Sequence, residues 1–364
     1  MGHRPRRVMP FLEAIWGYRK IVTETREIPA APGGGVSVPV SAPDIGALVE
    51  SVDEAGLRAT VGRIASASRH SASNPSHHAA VGAGIIDAFR AAGLGVLEQT
   101  FAYGHLGGRN IIGTKPGTRP DLRPLLVCAH YDSVESSPGA DDNASGVAAL
   151  LECARVLAGA ELRRAVHFAA LDMEEIQAPP GEAGLLGSAA MARAARREGR
   201  RYAAVYNLEM VGYSAGPGAQ RLPPGFRLLF PDAYRRVRAL DFRGQGLGVI
   251  GIGKGRALNR RLARSAATRV AGLEIVSVEV PSWLPIPDLL RSDHASFWLA
   301  GMPAVTLTDT GNFRNPHYHG PTDTPDTLDY RMLRQATQLL VATVVEHARG
   351  RAPATEPDSQ APSR

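Results

Sequence analysis

Apolar positions along this chain follow first a helical rhythm and then short runs. Ile45 with Leu48 and Val49, then Leu57, Val61 and Ile64, keep helical spacings of three or four, which predicts helices from Asp44 onward, the last over 77–92. Apolar runs at 96–101, 110–113 and 125–129 predict strands. The two patterns then alternate. Val147, Leu150, Leu151, Ala154 and Leu157 predict a helix, 165–171 a buried strand and 186–197 a small-residue helix. Strands at 203–208 and 249–253, a helix at 259–271, a strand at 302–308 and an amphipathic helix at 331–347 complete the series. Alternation of this kind predicts an α/β fold with helices on both faces of a mixed, mostly parallel sheet. Residues 1–44, with prolines and three consecutive glycines, predict an irregular extension. Residues 45–349 predict one domain, and the polar, proline-containing 350–364 a disordered tail.

Composition narrows the picture only a little. The 364 residues are 44% hydrophobic and 21% charged, ample for a buried core. No run approaches the roughly 18 apolar residues of a membrane span, and Glu13 interrupts the apolar stretch behind the basic Arg4, Arg6 and Arg7. The expectation is therefore a cytoplasmic protein without membrane contact. Two cysteines, Cys128 and Cys153, fall inside apolar patterns and predict buried free thiols. The net charge of +6 comes from scattered arginines without interleaved aromatics, so no nucleic-acid partner is expected.

Four stretches carry acids or histidines just past an apolar strand. They are His130 to Asp142, Asp172 to Glu175, Asn207 to Met210, and Asn315 to His319. In a sheet of this class, ligands bind at the carboxyl ends of strands, so the four should converge on one edge. Carboxylates crowded together repel and are costly to desolvate unless a cation neutralises them. Mixed imidazole and carboxylate donors suit zinc.

The motifs HYDS, GADDNASGVAALLE, LDMEE, GLLGS, NLEMVGY, SDHASFW and TDTGNFRNPHYHGPTDTPDTLDY follow one another between residues 126 and 330. In this order they resemble the M28 family of zinc peptidases, the co-catalytic aminopeptidases. The resemblance implies a three-layer α/β/α sandwich, two Zn2+ ions per chain and peptide substrates with a free N-terminus. It implies His130, Asp142 and Glu209 around one ion and Asp142, Glu175 and His319 around the other, with Asp142 bridging. Glu174 would be the general base, and Asp132 would accept the second ring proton of His130. Glu209 stands where many members carry aspartate. The insertion 176–183 is expected to form a loop at the site mouth.

Other residues take second place. His317 is an alternative ligand behind His319, and Asp323 is either a partner of His319 or a turn-former. His294 is expected to be structural, and Met210, Trp298, Phe313 and Tyr318 to flank the site. His77 and His78 are expected on a solvated helix face. Gly251 to Gly255 lack the full spacing of a phosphate-binding fingerprint. The rival readings are a glutaminyl-cyclase-like acyltransferase with one zinc and a catalytically silent binding module.

Overall fold

The computed structural model describes residues 21–23, 44–175, 184–283 and 287–349. The expectations for the tail at 350–364, the loop at 176–183 and most of 1–44 lie outside the described residues.

Three helices lead in: α1 (Ile45–Glu50), α2 (Glu54–Ile64) and α3 (Pro75–Ala91). Each begins where a short polar side chain satisfies a free amide. Asp44 accepts from Gly46, Asp53 from Ala55 and Asn74 from His77, with Pro75 opening α3. Strands β1 (Val22–Thr23), β2 (Gly95–Tyr103) and β3 (Leu106–Lys115) form an antiparallel margin. Next come β4 (Leu125–His130), α4 (Gly146–Leu157), β5 (Val166–Leu171), α5 (Leu186–Arg197) and β6 (Ala204–Glu209). Two helices that the periodicity did not indicate follow, α6 (Phe226–Leu229) and α7 (Pro231–Ala239). The chain closes with β7 (Leu247–Ile252), α8 (Arg256–Arg269), β8 (Ile275–Val280), α9 (His294–Leu299), β9 (Ala304–Thr308) and α10 (Tyr330–Ala348).

The nine strands lie in the order β1-β2-β3-β5-β4-β6-β9-β7-β8. The central four, β5, β4, β6 and β9, are parallel, and β7 runs antiparallel to β9. Strand side chains alternate between faces, and the core divides accordingly. Leu125, Val127, Tyr206 and Leu307 pack with α3, α4, α8 and α10. Leu126, Cys128, Val205 and Ala304 pack against Met191 of α5 and Phe297 of α9. Val278 and Val280 meet Phe230 and Ala233 around α7. These are the two helical layers of the expected sandwich. By the same parity His130 and Glu209 face the α5/α9 side.

Both cysteines are buried and free. The glycines at 251 and 255 are packing glycines. A Cβ on Gly255 would stand 2.1 Å from the Ala304 carbonyl oxygen, and one on Gly251 would stand 2.4 Å from Asn259 Oδ1. Among the described residues no helix is long and apolar enough to cross a membrane.

Two core histidines make stability depend on acid. Burial, helped by Arg200, pushes His167 down to about 3. Burial, helped by Arg261 and Arg164, does the same to His347. Both stay neutral in the fold, near the hydroxyls of Tyr202 and Tyr206 respectively. The unfolded chain takes up these protons near pH 6.5, so it binds more protons than the fold between there and pH 3. Stability should therefore fall as pH drops below 6.5, by up to about 1.4 kcal/mol per pH unit for each histidine. Urea unfolding at pH 7, 6, 5 and 4 should show a shallower acid slope in His167→Gln than in the parent.

Candidate metal centre

Register brings the four stretches together. His130 is level with Leu171 at the end of β5, and Cys128 pairs with Asn207, which sets Glu209 beside His130 two residues further on. Glu209 in turn pairs with Thr308, where β9 ends. Glu174 and Glu175 lie just past β5, Asp142 in the turn before α4, and His319 in the loop behind β9.

All five expected ligands gather in one place. His130 Nε2 lies 3.3 Å from Asp142 Oδ1 and 3.5 Å from Glu209 Oε1. His319 Nε2 lies 3.2 Å from Asp142 Oδ2 and 3.0 Å from Glu175 Oε1. His130, Asp142 and Glu209 thus form one cluster of donor atoms, and Asp142, Glu175 and His319 another. Glu174 clusters with His130 and Glu175. Close as these contacts are, His130 Nε2, Asp142 Oδ1 and His319 Nε2 have no aligned hydrogen-bond partner. Buried polar atoms are rarely left so. The donor set, two imidazoles and carboxylates around a shared aspartate, fits zinc at each cluster.

Electrostatics agrees with that fit. Burial raises Glu174 well above the carboxylate range, with Glu209 and Glu175 adding to it. Burial, with Asp142, raises Glu175 to about 7. Asp142 goes the opposite way: burial pushes it up, but His130 and His319 outweigh burial and hold it low. So many largely buried acids, faced by two imidazoles and the Arg69 guanidinium, call for added positive charge.

Neighbouring groups hold these side chains in place. Asp132 lies 3.4 Å from His130 Nδ1 without an aligned hydrogen bond, and its two oxygens accept the amides of Glu174 and Glu175 at 3.1 Å each. Asn143 donates to the Leu208 carbonyl and accepts from the Met210 amide, tying the Asp142 turn to the end of β6. Ser292 donates to Glu209 Oε2 at 2.6 Å, steadying that side chain. The Tyr318 ring stacks on His319 at 3.7 Å, and Arg291 donates to the Tyr318 hydroxyl. Met173, Met210, Thr310 and His319 all have positive φ. Non-glycine residues rarely adopt that conformation, and those that do cluster at functional sites.

Several secondary expectations are corrected. Asp323 is neither a partner of His319 nor chiefly a turn-former, since its two oxygens accept the amides of Asp141 and Asp142 at 2.9 and 3.1 Å. His78 is not on a solvated face: its Nε2 lies 2.8 Å from Asp172 and its ring stacks on Tyr131. His77 is half-buried, with Nε2 3.0 Å from the Ile64 carbonyl oxygen. Trp298 donates to the Ala304 carbonyl and packs edge-on against His294, outside the cavity that Met210, Phe313 and Tyr318 line. His294 also lines that cavity, but its Nε2 meets the Leu289 carbonyl oxygen, a structural contact. His317 contacts Thr322 rather than the centre.

Sequence reasoning missed Arg69, a fully buried side chain. Its guanidinium donates to the carbonyls of Tyr131, Pro138 and Gly139, so it stitches the His130 loop to the Asp142 turn. Its signal, a lone arginine beyond α2, does not stand out in the sequence. Arg69→Met should strand three buried carbonyls at about 1–3 kcal/mol each. Urea denaturation should show a loss of several kcal/mol.

With the geometry set out, likeness to known proteins can be added. The model of peptidase family M28 matches residues 110–221 and 244–344, and the chain belongs to that family. The uncharacterized protein YfbL of Escherichia coli is 36% identical over 223 residues, covering 58% of this chain and 63% of YfbL. Aminopeptidase YwaD of Bacillus subtilis is 31% identical over 258 residues, covering 67% of this chain and 46% of YwaD. The chain thus spans between about half and just under two thirds of the length of these relatives. LapB of Legionella pneumophila shares the fold with a TM-score of 0.64 at 20% identity, over 84% of this chain and 74% of LapB. Glutaminyl cyclase of Porphyromonas gingivalis shares it with a TM-score of 0.60 at 21% identity, over 81% of this chain and 99% of the cyclase.

Proposed function

We propose that this chain is a zinc metallopeptidase that removes N-terminal residues from peptides with a free amino group. One observation carries the reading: Asp142 turns one carboxylate oxygen to His130 and the other to His319. A carboxylate so placed suits a bridge between two ions, with His130 and Glu209 completing one set and Glu175 and His319 the other. Two zinc ions held there would act as Lewis acids toward a peptide carbonyl and make water acidic enough to ionise near neutral pH.

The protein's own groups then do the rest. Glu174, beside His130 and Glu175, takes a proton from the attacking water and returns it to the departing nitrogen. Asp132 binds the Glu174 backbone through its amide and lies close to His130 Nδ1, so it stands beside both the base and one metal-holding side chain. The surplus of carboxylates favours a substrate ammonium near the scissile bond.

A second reading follows from the fold shared with a glutaminyl cyclase. A single zinc and cyclisation of an N-terminal glutamine would then replace hydrolysis. Elemental analysis of purified protein should give two zinc ions per chain. Leucyl 4-nitroanilide should be cleaved, with activity lost on chelation and restored by zinc, while a glutaminyl peptide stays uncyclised. One ion and cyclisation would reverse the assignment. A full metal complement without turnover of either substrate would favour a silent binding module.

A further inference from the structure

The cavity over the metal centre is far larger than the centre needs. At about 560 Å³ it falls in the range that holds whole drug-sized ligands. Its floor is a row of cross-strand neighbours: Glu209 pairs with Thr308, Thr308 with Gly248, and Gly248 with Val276. Three strand spacings separate Glu209 from Val276, about 14 Å. Behind that row lie Thr306, Ile250 and Val278, which also line the cavity. The threonine hydroxyls are engaged, Thr308 by the Thr310 amide and Thr306 by the Asn207 side chain. The roof is apolar: Phe226, Leu229, Phe230, Val237 and Leu240. The bordering Arg221, Arg243 and Arg291 are exposed to solvent, and the buried Arg314 donates to Gln220 and the Gly246 carbonyl.

All five roof residues belong to 222–243, the stretch that the family model leaves unmatched between its two matched segments. The roof thus lies outside the two matched segments, and the floor strands β9, β7 and β8 lie inside the second. At its midpoint the floor has no side chain. A Cβ built on Gly248 would meet Thr310 Cγ2 at 3.4 Å and Thr308 Cγ2 at 3.7 Å, ordinary contacts. A larger residue would fit locally and would project into the lobe beside those two threonines.

We infer that the lobe selects amides whose carbonyl side carries an extended apolar chain, longer than any natural amino-acid side chain, and that Gly248 keeps it open. This rests on the hydrolytic reading above. Water adds to the amide carbonyl, the C–N bond breaks, the nitrogen leaves as an amine with the proton from Glu174, and the chain departs as a carboxylic acid. Such a chain has two sources: a long-chain α-amino acid or a fatty acyl group without the amine.

The test uses the zinc-loaded full chain and 4-nitroanilides of alanine, norleucine, 2-aminooctanoic acid and 2-aminodecanoic acid, with decanoyl 4-nitroanilide as the arm without an amine. Burial of each added methylene should raise kcat/KM about fourfold, through to the ten-carbon substrate. Gly248→Ala, Gly248→Val and Gly248→Leu should cut the ten-carbon rate progressively, more than 20-fold for leucine, and leave alanyl turnover within about twofold. Cleavage of the 2-aminodecanoyl substrate alone identifies an amino-acid chain, and cleavage of the decanoyl substrate as well identifies an acyl chain; both uphold the lobe. A rate that stops rising at norleucine, or a Gly248 series that lowers all substrates equally, overturns it. If no anilide is cleaved, the peptidase reading has failed separately. Calorimetry of 2-aminodecanoate against alanine then decides the lobe: tighter binding of the long chain, lost in Gly248→Leu, sustains the inference, and equal binding refutes it.

Discussion

Glu174→Gln should lower turnover of an aminoacyl anilide by a factor of 10² to 10⁴, the usual contribution of a positioned proton-transfer group. Zinc content, measured by plasma mass spectrometry, should not change. The substitution keeps the size of the side chain and its place beside His130 and Glu175. It also leaves intact the backbone amide that binds Asp132. What it removes is a basic oxygen on a buried side chain, and Gln cannot accept a proton there. Unchanged turnover would remove Glu174 as the base, and lost zinc would mean that it holds metal.

Asp142→Ala should strip both ions, whereas His319→Gln should strip one. The aspartate is common to both donor clusters, with an oxygen 3.3 Å from one histidine and another 3.2 Å from the second. His319 belongs to only one cluster and is the more exposed, at 35% of its side chain against none for His130. Parent, His319→Gln and Asp142→Ala should carry about two, one and no ions after dialysis against a weak chelator. Equal loss in both variants would mean that the two clusters do not bind separately. Activity in Asp142→Ala should fall to background, since neither cluster would be complete.

The four stretches of the centre were legible from the sequence because they follow recognisable strands, whereas the choice of side chains within them came from the family resemblance. His130 and Glu209 end apolar runs, and Glu174 and Glu175 follow one. Polar groups there read out directly, since a parallel sheet collects its strand ends on one edge. What supports them was harder to read. Arg69 works through backbone carbonyls, which carry no sequence signature. Asp323 binds two amides about 180 residues away in the chain, and neither its type nor its spacing announces that. His78 sits beside a second histidine on a helix, so only tertiary packing distinguishes it. The lobe was overlooked because α6 and α7 are short and rich in arginine and proline. Strand β8 alternates Val276, Val278 and Val280 with Ser277 and Glu279, a pattern the composition of the region masks.

The clamp between Asp323 and the Asp141–Asp142 amides has a consequence for the life history of the molecule. Asn315 adds a second tie from the same late loop, donating to Asp141 at 2.8 Å. The turn that presents the shared aspartate is therefore propped by residues made more than 170 positions after it. A chain cut short before residue 315 would lack His319 along with both props. Neither donor cluster around Asp142 should then form as it stands in the full chain, one for want of His319 and both for want of the props.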